Sequence, residues 1–260
     1  MMQKVCFIGA GKLATQLSVA MRRVGYEVVQ VYSRTEESAR TLAEKLQCAY
    51  TTDAEMLTTE ADLYVCALKD SVITTVLNQA KKSLKNKMLV HTAGSMPMDI
   101  LAPYTENFGV LYPMQTFSKT KIVDFSKVPF LIEGSNSQVV DYLKIISDKF
   151  GAKSYNVSSE DRKKIHLAAV FVSNFANHAY TLGAEIVQSA GVPFEVLLPL
   201  IDETAEKVHC MTPQEAQSGP AVRNDQNVMA MHKAMLKDDE NLLKIYEMMS
   251  ESIYETSKKR

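Results

Sequence analysis

Apolar residues along this chain change their rhythm near residue 120. Before it, compact apolar runs alternate with stretches of helical spacing. Val5 to Ile8, Val28 to Tyr32, Ala61 to Leu68, Lys87 to Thr92 and Gly109 to Tyr112 are apolar runs bounded by turn residues, the pattern of buried strands. A short strand is expected near Ala49-Tyr50-Thr51. Between the runs, Leu13, Leu17, Ala20, Met21 and Val24 recur on one helical face, as do Val72, Val76, Leu77 and Ala80, and a further helix spans about Glu36 to Leu46. Strands alternating with helices of this length predict an α/β fold with a doubly wound, mostly parallel sheet. Ligands on such sheets lie beyond the carboxyl ends of the strands.

After residue 120 helical spacing takes over. Val128 to Gly134 reads as one more strand, with Pro129 placing it at an edge or a strand start. A helix over Ser137 to Phe150 and a brief strand over Ser154 to Val157 follow. A long helix is then expected from about Ser159 to Ala190. Between Lys164 and Glu185 it holds no Asp, Glu, Lys or Arg. That is long enough to raise a membrane span, for which about 20 apolar residues suffice. Ser173, Asn174, Asn177 and His178 would then sit at membrane depth, so no membrane association is expected. At about 100° per residue, His166, Ser173, Asn177, Tyr180 and Thr181 share a stripe with Asn174 on its flank, and Leu167, Phe171, Val172, Phe175, Ala179, Leu182 and Ile186 lie opposite. A stripe of uncharged hydrogen-bonding groups suits either the wall of a polar cleft or a packed helix at a dimer interface. Helices over Pro193 to His209, Gln226 to Leu236 and Asp239 to Tyr254 finish the chain. The expected division is a nucleotide-binding domain over 1–125 and a mainly helical domain over 126–260.

Composition narrows the classes of function. The 260 residues are 46% hydrophobic and 23% charged, which suits a soluble chain with ample core. A formal net charge of −1 provides no general field for nucleic acid or anionic membrane. The four cysteines (Cys6, Cys48, Cys66 and Cys210) are scattered, and Cys6 and Cys66 fall inside apolar strands, so neither a metal site nor a disulfide framework is expected. With the first strand opening at once and no signal peptide, a cytoplasmic protein is predicted.

The chemistry is concentrated at strand ends. Val5 to Ile8 runs into Gly9-Ala10-Gly11-Lys12-Leu13-Ala14, a Gly-x-Gly-x-x-Ala turn between a strand and a helix. Gly9 permits the tight turn, Gly11 lets the backbone approach a diphosphate, and Ala14 keeps the helix near the sheet. The free N–H groups at the helix start, including those of Lys12 and Leu13, then face phosphate. The next strand ends in Tyr32-Ser33-Arg34-Thr35 rather than the Asp or Glu that bonds an adenosine ribose hydroxyl. An Arg34 guanidinium pairs with a 2′-phosphate, and Ser33 and Thr35 add donors, so NADP(H) is the expected cofactor. Thr35 also suits the N-cap of the following helix.

Three further strand-end loops are candidates for the cofactor: Leu68-Lys69-Asp70, Thr92 to Ser95 with Gly94 at its tight point, and Met114-Gln115-Thr116. Lys69 is equally compatible with phosphate binding and with solvation. His91, inside an apolar strand, reads more simply as a buried histidine than as a catalytic one. Near the other end, Gly219-Pro220 precedes Arg223 and Asp225. That pair suits a polar or anionic substrate group, or else an N-cap with a neighbouring ion pair. Candidate catalytic and substrate residues are therefore His166 as proton relay, Ser173, Asn174 and Asn177 as orienting groups, Arg223 for a carboxylate, and Asp225.

The turn with Gly9, Gly11 and Ala14 and the Ser33-Arg34-Thr35 strand end resemble those of pyrroline-5-carboxylate reductases and of 6-phosphogluconate and β-hydroxyacid dehydrogenases. The whole chain more closely resembles a bacterial family of NADP oxidoreductases that joins a Rossmann-like domain to an all-helical domain. Leu167 to Asn174 and Gly219-Pro220-x-x-Arg223-x-Asp225 carry that second likeness. The resemblance implies hydride transfer between NADP(H) and a small carbonyl or imine substrate between the domains, and a homodimer. It departs from β-hydroxyacid dehydrogenases in lacking their lysine four residues before an asparagine, where Ser173 or Val170 stands here. The competing expectation is a non-catalytic NADP(H)-binding protein whose helical domain serves interaction.

Overall fold

The computed structural model describes residues 3–118 and 121–259. An eight-stranded sheet in the order β3-β2-β1-β4-β5-β6-β7-β8 is its centre. Its strands are β1 (Lys4–Ile8), β2 (Glu27–Tyr32), β3 (Ala49–Thr51), β4 (Leu63–Cys66), β5 (Met88–His91), β6 (Asn107–Pro113), β7 (Phe130–Gly134) and β8 (Ser154–Asn156). All neighbouring pairs are parallel except β6 and β7. The expected Rossmann-type sheet is thus present, extended by an antiparallel step and a last parallel strand.

Helices α1 (Lys12–Arg23), α2 (Glu36–Leu46), α3 (Ile73–Leu84) and α4 (Ser137–Lys149) belong to the same sheet-centred unit. The apolar runs work because successive side chains face opposite layers. Val5 and Phe7 of β1 join a core with Leu17, Met21, Leu143 and Ile146. Cys6 and Ile8 join a second core with Ile73, Leu77 and Leu84. Burial pushes the Cys6 thiol far up and the Cys66 thiol to about 12, so both act as small apolar side chains, as expected. The third position of the glycine turn, Ala14, is fully buried and lets α1 sit close on the sheet.

Helix α5 (Ser159–Ala169) is followed directly by a π-helical turn over Val170–Phe175 and by α6 (Ala176–Ser189). The long helix therefore exists, but not with one uniform period. A π turn holds an extra residue, so phase computed at a constant angle fails beyond it. Of the residues placed opposite the polar stripe, Leu167, Phe171 and Val172 are exposed. Helices α7 (Leu198–Cys210), α8 (Pro213–Ala216), α9 (Gln226–Met235) and α10 (Glu240–Ser257) complete the chain. The segment expected to begin as a helix at Pro193 opens instead with a 3-10 turn over Phe194–Leu197.

Compactness divides the chain into Met1–Asn174 and Phe175–Arg260, later than the expected break after residue 125. The reason lies in the backbone ladder: β7 pairs with β6 and β8 pairs with β7, so residues 130–156 belong to the sheet. Among the described residues, no helix is long and apolar enough to cross a membrane.

Candidate active site

At the end of β1 the chain must reverse sharply to start α1. Gly9 does so at φ +125°, and a Cβ there would lie 2.4 Å from the Ala67 carbonyl oxygen. Conformation and crowding both require glycine. Gly9 N–H donates to the Tyr32 carbonyl at 2.8 Å and Ala67 N–H to the Ile8 carbonyl at 2.8 Å, tying three strand ends together. Here β1 has β2 on one side and β4 on the other, the switch point at which nucleotides bind on such sheets. Gly11 occupies the N-cap of α1 with extended backbone and no side-chain cap. A Cβ on Gly11 would meet nothing within 4 Å, so the space above the first turn is open. Lys12 is exposed and Leu13 half-buried beside it. The first-turn N–H groups of α1 are left for a ligand.

At the end of β2, Ser33 is half-buried and Arg34 and Thr35 are exposed. Thr35 holds the N-cap position of α2 but makes no side-chain cap hydrogen bond. The expected hydroxyl cap is not made. At the ends of β4 and β5, Leu68 is half-buried, Lys69 is exposed and Thr92 is buried. The Ser95 hydroxyl donates to the Asp70 carboxylate, joining those two loops.

His91 is fully buried, and its Nδ1 accepts from Ala93 N–H at 3.1 Å. The proton is thereby assigned to Nε2. Burial first, and the neighbouring Arg162 cation second, push its pKa down to about 3. It is a neutral structural histidine, the simpler of its two sequence readings.

Gly94 marks the place where Tyr112 and His166 meet. A Cβ on Gly94 would lie 2.6 Å from His166 Nδ1, 2.9 Å from His166 Cγ and 3.0 Å from Tyr112 Cζ. The absent side chain lets both rings rest against the loop after β5. Tyr112, the last residue of β6 before Pro113, shares a hydrogen bond of 3.1 Å with His166 Nδ1. The rings meet edge to face, with centroids 5.9 Å apart. Burial pushes the Tyr112 phenol above its ordinary value, so it remains protonated at neutral pH. These residues line a cleft of about 290 Å³ with Met114, Gln115, Thr116, Val170, Val172, Ser173 and Asn174. Val172, assigned to the opposite face by simple helical phase, also lines the cleft. The Gln115 side-chain oxygen accepts from Thr116 N–H at 2.8 Å.

A buried clamp fixes the helix that carries His166. Arg162, one turn earlier on α5, has no exposed side-chain surface and pairs with Glu133 of β7. Its Nη2 donates to the Met96 carbonyl at 2.6 Å and to Ser159 Oγ at 3.1 Å. The Glu133 carboxylate also accepts from Ser159 N–H at 2.9 Å and Ser159 Oγ at 2.8 Å. Met98 N–H donates to Ser159 Oγ at 2.9 Å. Strand β7, the loop after β5 and the start of α5 are thus locked together, and the loop bearing Gly94 cannot slide past His166.

The structure brings His166, Ser173 and Asn174 to one cleft. Asn177, Arg223 and Asp225 belong to the other compact unit. There Asn177 is exposed, and its carbonyl accepts from Thr181 Oγ1 at 3.3 Å. Asp225 caps α9, accepting from Val228 N–H at 3.2 Å, so the capping reading holds for its carboxylate. Arg223 is exposed. The sequence reading missed Tyr112, Arg162 and Glu133. The strand-end rule reached Tyr112 but was applied only to the loop after Pro113, and Glu133 was visible as a lone carboxylate in an apolar strand. Among the described residues, no cluster of three or more His, Cys, Asp or Glu could hold a metal ion.

Residues 4–94 match the family described as NADP oxidoreductase, coenzyme F420-dependent. Residues 128–253 match a domain family of unknown function. None of the curated proteins matches. Among solved structures, a "putative NADP oxidoreductase" from Bacteroides fragilis is 47% identical, with 98% of each chain covered and a TM-score of 0.93. A Streptomyces aurantiacus imine reductase is 14% identical over 99% of each chain with a TM-score of 0.73, and shares the fold. The same holds for a 1-pyrroline-5-carboxylate reductase from Streptococcus pyogenes, 14% identical over 99% of this chain and 98% of that one, with a TM-score of 0.65. The chain belongs to the family of NADP oxidoreductases in which a Rossmann-like nucleotide domain is followed by a helical domain.

Proposed function

We propose that the protein transfers a hydride between NADP(H) and a small carbonyl or imine substrate held in the cleft beside Gly94. The observation that carries this reading is the Tyr112–His166 hydrogen bond at the carboxyl end of the sheet, in the same unit as the glycine turn. Gly9, Gly11, Lys12 and Leu13 would hold the diphosphate, with Ser33, Arg34 and Thr35 on the 2′-phosphate. Leu68, Lys69, Thr92 and Gly94 would border the rest of the coenzyme. When bound, the coenzyme supplies the hydride, while the protein orients the substrate and manages a proton. His166 serves as the relay, and Ser173 and Asn174 offer hydrogen bonds to the substrate.

Titration of NADPH and NADH by coenzyme fluorescence tests the cofactor half of this reading. NADPH should bind at least tenfold more tightly than NADH. Arg34→Ala should weaken NADPH by about 10- to 100-fold, the scale of one charge-assisted pair, and leave NADH unchanged. Equal affinities, unaltered in the variant, would refute it.

A homodimer belongs to the same proposal. In the helical unit Ile186, Leu200, Met235 and Met248 are 50%, 64%, 70% and 71% exposed. Apolar surface on that scale is rare on a monomer, and a second copy of the same helices is the self-complementary cover. The four free cysteines fit a reducing compartment such as the cytoplasm.

A further inference from the structure

We propose that Tyr112 is the catalytic acid of this site and that it serves a carbonyl acceptor, an aldehyde or ketone, rather than an iminium ion. The inference rests on the reductase reading and names the group and the substrate class that reading leaves open. Three observations carry it. The phenol lines the cleft at the end of β6, next to the end of β5, where the reacting end of a coenzyme lies on a sheet of this kind. Its oxygen is 3.1 Å from His166 Nδ1, so a second group stands behind it to return a proton. Gly94 has no side chain where one would drive both rings apart. The arrangement is held from below by Arg162 and Glu133, which fix α5 against the same loop.

The chemistry balances as follows. With His166 as imidazolium, Nδ1–H donates to the Tyr112 oxygen and leaves the phenolic proton pointing at the substrate. The carbonyl carbon takes a hydride from the dihydronicotinamide of NADPH, and the C=O π pair moves onto oxygen. That oxygen takes the Tyr112 proton and becomes an alcohol. The phenolate takes the His166 Nδ1 proton, neutral His166 recovers a proton from water, and the coenzyme leaves oxidised as NADP⁺. An iminium substrate would arrive already protonated and, on taking hydride, would become a neutral amine with no use for the phenol. A donor built this way therefore points to an acceptor that arrives unprotonated, as a carbonyl oxygen does and an iminium does not. Burial, which keeps the phenol protonated, suits a donor rather than a base.

The test uses the full chain and Tyr112→Phe. NADPH binding is followed by coenzyme fluorescence, His166 ring nitrogens by proton–nitrogen NMR, and turnover with propanal, cyclohexanone, pyruvate and a five-membered cyclic iminium as probes. Tyr112→Phe should bind NADPH within threefold of wild type and shift the His166 Nδ1 resonance. It should lower kcat for carbonyls by about 100-fold or more, with KM little changed, as loss of a general acid does. Gly94→Ala keeps both rings but forces them to move, and should lower kcat without removing either group. If wild type reduces the carbonyls while Tyr112→Phe keeps kcat within threefold, the Tyr112 assignment is overturned and the reductase reading stands. Reduction of the iminium alone overturns the substrate class. Wild type that binds NADPH and reduces no probe overturns the reductase reading, and the assignment with it. If Tyr112→Phe does not fold, Gly94→Ala decides: carbonyl turnover at the wild-type rate rejects the proposal.

Discussion

The two compact units of this chain treat their apolar side chains in opposite ways. Met1–Asn174 encloses two cores on either side of a sheet, and its large side chains Phe7, Leu17, Tyr64 and Phe130 are fully covered. In Phe175–Arg260, Ala221 and Ser250 are the only buried residues among those described. A sheet with helices on both faces completes its layers within one chain, whereas a set of amphipathic helices with an open apolar side still needs another layer. The lesson is a division of labour: the first unit is a self-supporting frame, and the second offers surface.

The largest expected effect falls on the frame. Arg162→Met leaves the half-buried Glu133 without its cation, and should cost about 3 kcal/mol in denaturant unfolding, the lower end for a broken buried pair. It should also lower catalysis, because α5 loses its tie to the loop bearing Gly94. A loss below about 1 kcal/mol would show that the clamp does not organise this unit. Next, Leu200→Asp probes the surface of the second unit. A leucine facing water tolerates such a change within about 0.5 kcal/mol, whereas one covered by a second copy should lose about 2 kcal/mol or more. Light scattering after gel filtration should then show the wild type as a dimer and the variant as a monomer. A monomeric wild type would end the comparison as drawn here.

The smallest effect, measured per pH unit, is the acid response of the first unit. His91 titrates at about 3 when folded, against 6.5 as its ordinary value, so the unfolded chain binds the extra proton first. Its contribution to stability is fully present above pH 6.5. It falls as pH drops toward 3, with a slope of about 1.4 kcal/mol per pH unit. His91→Asn should flatten that limb of the stability profile. An unchanged slope would mean that His91 is hydrated in the native state.

Much of the fold was legible because burial on both faces writes strands as apolar runs. Every expected strand from Val5–Ile8 to Ser154–Val157 has its counterpart, within a residue or two at the ends. The glycine turn was legible because Gly9 meets both a steric and a conformational demand that no other residue meets. The candidate site was read less fully. His166, Ser173 and Asn174 do share a cleft, but Tyr112 looked like an ordinary strand aromatic until the pairing of β5 with β6 set it beside Gly94. Arg162 sits in a charged run, Glu160 to Lys164, whose other members are solvated ion pairs. Nothing local distinguishes the one arginine that turns inward. The π turn left no trace in Val170-Phe171-Val172-Ser173-Asn174-Phe175, since its cause is tertiary rather than compositional.

That wide turn gives the long helix a slack in length that unbroken α-helical winding lacks. The turn already holds one residue more than such winding needs, so deleting a single residue between Val170 and Val172 would let the backbone relax while the residues that follow nearly keep their phase about the helix axis. Inserting one residue there finds no such slack and would turn Ser173 and Asn174 by about 100° relative to His166. The cleft thus survives the loss of one peptide unit in this stretch far better than the gain of one.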